Sequence, residues 1–152
     1  MKDFTTFFFI LICITIFYVY LENKAVDVTY VKTHNVEFLV RNLPDKEEAA
    51  LLLSKIRERL LQIVEHTTRK KKLENKDKDK DKEHIDALKR LKKNYKPNNI
   101  TESSPGNKYT SYSINKGEKI VFCLRSKGNN QELVDLNTMM FVAIHELGHL
   151  MS

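Results

Sequence analysis

The chain has 152 residues with a formal net charge of +6, which allows one domain and a modest core. Its two cysteines, Cys13 and Cys123, lie in different segments and exclude a disulfide scaffold. Charged residues make up 30% of the chain, but acids and bases are interleaved, which cancels the one-signed field that phosphate binding needs, so no direct nucleic-acid binding is expected.

In chain order, the first segment to stand out is Phe4 to Leu21, which has no charged residue and is dominated by Phe and Ile. Eighteen such residues rise about 27 Å as a helix, near the roughly 30 Å hydrocarbon thickness of a bilayer. The segment 4–21 is therefore predicted to be a transmembrane signal-anchor, with the membrane as a partner and a single-pass localisation. A cleaved signal peptide would carry a shorter apolar region and small residues at the cut, whereas Glu22, Asn23 and Lys24 follow here. The basic residues on the two sides, Lys2 against Lys24 and Lys32, leave the orientation undecided.

Residues 26–152 are predicted to form one α+β domain. Val26 to Asn42 has β-branched and aromatic character, with a strand expected around Glu37 to Arg41 and a possible earlier strand or linker before it. Pro44 or Asp45 opens a helix in which Leu52, Ile56, Leu60 and Val64 recur at helical spacing. From Arg69 to Glu83 little but Lys, Asp and Glu remains, which predicts a charged, flexible insert. Ile85, Leu88 and Leu91 then restore a short helical stripe, and Asn98 to Asn107 looks like a loop, with a weak glycosylation pattern at Asn99-Ile100-Thr101. Lys108 to Ile114 and Glu118 to Leu124 flank Asn115-Lys116-Gly117 as an edge hairpin.

The chemistry is concentrated in Val142 to Met151, where His145-Glu146-Leu147-Gly148-His149 spells His-Glu-x-x-His. On a helix His145 and His149 stack on one face and offer two imidazoles to one ion, with Glu146 about 100° round beside them. That is the spacing with which Zn2+ is held while a carboxylate acts as general base on a water whose pKa the metal lowers to about 7. From Leu136 to Met151 these are the only ionisable side chains, which predicts a buried helix with a reason to keep them. The competing reading is a core helix whose histidines have ordinary partners. Gly148 between the ligands would let another segment approach closely.

A catalytic zinc site usually has three protein ligands. Only Leu150, Met151 and Ser152 follow His149, so the third is sought upstream among His34, His66 and His84, or beyond a chain that stops early.

Lys108 to Ile120, Thr138 to Met140 and the uncharged flanks of the His-Glu-x-x-His motif resemble the WLM metallopeptidases, in particular membrane-anchored forms from large DNA viruses, a group similar to the SprT-like proteases. The resemblance implies a zincin-like metallopeptidase domain, with a small sheet, an edge hairpin and a buried metal helix, behind the transmembrane segment. It further implies Zn2+ as cofactor, His145 and His149 as ligands, Glu146 as general base and a protein or peptide as substrate. A histidine several residues past the second ligand has no counterpart here, so the alternative is a non-catalytic relative acting as a membrane-tethered binding module.

Overall fold

The computed structural model describes residues 2–24, 28–73, 81–104, 111–127 and 130–152. Helix α1 spans Lys2–Lys24, followed by strands β1 (Val28–Thr33) and β2 (Val36–Arg41), helices α2 (Lys46–Leu73) and α3 (Asp81–Asn94), and strand β3 (Ile100–Glu102). Strands β4 (Ser111–Ile114) and β5 (Lys119–Phe122) and helix α4 (Leu136–His149) complete an α+β fold.

The five strands form one mixed sheet in the order β1-β2-β3-β5-β4. β1 and β2 are an antiparallel hairpin closed by His34 and Asn35, both at positive φ (48° and 62°), the conformation that a two-residue turn needs to match strand twist. β4 and β5 are a second antiparallel hairpin, and β3 lies between the two hairpins, parallel to both β2 and β5. β3 falls inside the segment read as a loop. At three residues between Asn and Ser neighbours it has no periodicity of its own, and its partners are remote in sequence. The side chain of Asn99, first residue of the glycosylation pattern, donates to the Glu118 carbonyl at 2.8 Å, and Thr101 sits on this central strand. Residues 108–110, expected at the start of the hairpin, lie outside the described residues, as do 74–80 of the charged insert; residues 69–73 and 81–83 are helical.

One face of the sheet forms the core. Phe38, Val40, Ile100, Ile120 and Phe122 alternate inward along their strands and meet Ala49, Leu53, Ile56 and Leu60, one stripe of α2. α3 and α4 lean on α2, adding Leu88 and Leu91 from one and Met139, Ala143 and Leu147 from the other.

The N-terminal prediction is corrected. Among the described residues no helix is long and apolar enough to cross a membrane, so the single-pass anchor and the membrane localisation built on it do not stand. The zincin-like domain with a buried metal centre is corrected as well, because no group of three or more His, Cys, Asp or Glu side chains that could hold a metal occurs among the described residues.

Where the strands end, a charged cluster ties the sheet to the helices. The Arg125 guanidinium, 4% exposed, donates through Nε to Glu102 Oε1 and through Nη1 to Asp45 Oδ2, each at 2.7 Å. The other oxygen of Glu102 accepts from the Arg41 backbone N–H at 2.7 Å, and the Gln131 carbonyl accepts from Arg125 Nη1 at 3.2 Å. β2, β3, the start of α2 and the segment leading to α4 thus share one knot. Its hydrogen bond to Arg125, opposed by partial burial, holds the Asp45 carboxyl below the usual carboxylate range.

Removing one partner of a buried pair strands the other. Arg125→Met is therefore expected to lower the unfolding free energy by about 3 kcal/mol in urea titrations at pH 7, because Glu102 is left buried and charged. The native Asp45 pKa is depressed, so its contribution is complete above the unfolded value of 3.8 and disappears as pH falls through the lower native value. Urea titrations from pH 6 to pH 2 should show wild type and Asp45→Asn converging only at the acid end.

Candidate functional site

α4 begins at Leu136 because Asp135, with extended backbone (ψ 154°), accepts hydrogen bonds from the Asn137 and Thr138 N–H groups at 2.9 and 3.1 Å. These bonds also hold the Asp135 carboxyl below its ordinary value, the Thr138 side chain contributing most. Met139, Met140, Ala143, Glu146 and Leu147 form the buried side of the helix. The prediction of a helix buried nearly all round is corrected by the other side: Phe141 is 79% and Ile144 49% exposed, and His145, Gly148 and His149 are exposed with them. The sheet and α2 cover only one stripe of a helix whose apolar residues run round most of its circumference.

On the open side the two histidines converge. Their rings meet edge to face with centroids 4.8 Å apart, and His145 Nε2 lies 3.2 Å from His149 Nε2. Two imidazole nitrogens bound at about 2.0–2.1 Å to a tetrahedral ion stand about 3.3 Å apart, so the spacing of this pair matches two of the ligands of a zinc ion. Two imidazoles alone are fewer than the three protein ligands such a site uses. Which nitrogen carries a hydrogen depends on the tautomer: one ring donates to the other, or both lone pairs turn to a cation. A Cβ on Gly148 would meet nothing within 4 Å, so the close approach of another segment expected there is not made by any described residue.

Glu146 is 5% exposed and makes no hydrogen bond or ion pair with a described residue, and its carboxylate oxygens are not among the buried polar atoms that lack a partner.

Among the described residues no third ligand joins the pair. His34 is in the β1–β2 turn, with Nδ1 3.3 Å from Ser54 Oγ, while His66 lies on α2 and His84 on α3. All three are exposed, on three separate elements, and none belongs to a metal-holding group with His145 and His149. A groove of about 390 Å³ lined by Tyr30, Glu37, Leu39, Thr101, Ile114 and Lys119 includes none of the three motif residues.

Sequence reasoning missed the end of α4. Leu150 is fully buried, its carbonyl accepts from Asn94 Nδ2 at 3.0 Å, and the Met151 carbonyl accepts from Arg90 Nε at 2.7 Å. The only sequence signal was the helical stripe of α3, which places Arg90 and Asn94 one turn apart.

The chain is 36% identical over 136 residues to an uncharacterized protein of Acanthamoeba polyphaga mimivirus. The match takes in 88% of this chain and 64% of that protein, so the chain spans less than two thirds of the relative's length. No family model matches the sequence. No solved structure matches it either.

Proposed function

We propose that this protein is a zinc-dependent peptidase of the WLM type, with His145 and His149 as metal ligands and Glu146 as general base. The observation that carries this reading is the 3.2 Å approach of the two Nε2 atoms on the exposed side of α4, with the Glu146 carboxylate beside them in sequence and free of ion pairs among the described residues. A bound zinc ion supplies Lewis-acid polarisation of a peptide carbonyl and makes a neighbouring water more acidic. His145 and His149 would hold and orient that ion. Glu146 takes the proton of the attacking water and returns it to the leaving amine.

The remaining parts of the reading concern substrate and ligand number. Phe141 and Ile144, exposed on the same side of α4 as the histidines, offer apolar contact to substrate side chains. β4 is the last strand in the sheet order and packs next to α4. The described residues provide two of the usual three protein ligands, so the reading also requires a third from outside them.

The test is hydrolysis of an unfolded, internally quenched protein substrate with added Zn2+. Activity should disappear with a chelator and fall about 10³-fold in Glu146→Gln, the order expected for loss of a general base, while zinc still binds. Zinc binding without any hydrolysis would assign the histidine pair to a binding role, and equal activity in His145→Ala and wild type would overturn the reading.

A further inference from the structure

We propose that Arg90 and Asn94 of α3 are positioning residues for His149, holding the second imidazole where it converges on the first. The inference rests on the zinc reading above and identifies what keeps that pair in register.

His149 is the last residue of α4, and the last turn of a helix is where backbone order is weakest, because its carbonyls have no partners further along the helix. A ligand in that place needs an external hold. Two side chains from one face of α3 supply it: Asn94 Nδ2 donates to the Leu150 carbonyl at 3.0 Å and Arg90 Nε to the Met151 carbonyl at 2.7 Å. The Arg90 cation also stands at the negative end of the α4 dipole, where positive charge is favoured.

Packing closes the clamp from the other side. Leu150 is fully buried against the β4–β5 turn, where Gly117 has φ 99°. A Cβ on Gly117 would lie 2.7 Å from Leu150 Cδ2 and 2.8 Å from the Asn94 carbonyl, so that turn and α3 leave Leu150 a single seat. Within α4 the Leu150 N–H donates to the Leu147 carbonyl at 3.0 Å and the Met151 N–H to the Gly148 carbonyl at 3.1 Å, which carries the fixed position of Leu150 and Met151 back to the turn containing His149. The surface helix α3 thereby sets the distance between the two imidazoles without touching either.

The experiment measures the affinity of the full chain for Zn2+ alone, by competition with a chromophoric chelator, and the visible spectrum with Co2+ alone. The variants are Arg90→Met/Asn94→Ala, Arg90→Lys and His149→Ala, each with its metal-free thermal midpoint. The double variant should bind Zn2+ about tenfold more weakly and show a weaker Co2+ ligand-field band, as outer-shell changes do at metal sites. Arg90→Lys, which keeps a cationic donor, should stay within about twofold of wild type. If the double variant does not fold, Arg90→Met alone, altered at an exposed side chain, carries the same comparison. Wild-type affinity in a folded clamp variant would overturn the positioning role alone. A wild type that binds no more tightly than His149→Ala would overturn the zinc reading, and the positioning role with it.

Discussion

The architecture of the site depends on a mismatch of area. α4 is apolar round most of its circumference, but α2 and the sheet can cover only the stripe through Met139, Ala143 and Leu147. At about 100° per residue, burying that stripe leaves His145 and His149 outside with Phe141 and Ile144 and places Glu146 at the margin between the covered and the open side. One packing choice therefore decides that the two imidazoles meet solvent, where a metal and a substrate would have access.

The sheet explains how so short a chain holds α4 in place. Two hairpins are joined through a three-residue strand, and so few ladder hydrogen bonds would leave the junction weak. Arg125 compensates by crossing it, linking Glu102 on β3 to Asp45 at the start of α2. Burial disfavours the Arg125 charge, but the two carboxylates outweigh it and keep the guanidinium protonated. Arg125 also pairs with Leu133 in an isolated bridge just before α4, so the knot fixes where that helix begins. The knot at the start of α4 and the α3 clamp at its end fix the helix at both ends, with the motif between them.

Several elements were legible because their signals are local. The stripe of Leu52, Ile56, Leu60 and Val64 repeats within one helix, and Asn115-Lys116-Gly117 forms a turn from adjacent residues. β3 was not legible, because a parallel strand draws its identity from β2 and β5, about sixty and twenty residues away. The apolar run Phe4–Leu21 suggested a membrane span from composition alone, and the described part of α1 does not provide one. A third ligand among His34, His66 and His84 was open to sequence reasoning, because spacing along a chain does not limit distance in a fold. Their separate elements remove them from the pair.

By itself the sequence determined that His145 and His149 share one face, since residues four apart on a helix do so once the helix forms. It also determined that these two and Glu146 are the only ionisable side chains between Leu136 and Met151. Only the tertiary structure decided which side of α4 is covered and that Arg90 and Asn94 catch the end of the helix. The physical reason is that hydrogen bonds within a helix follow from local spacing, whereas burial depends on which remote surfaces arrive to exclude water.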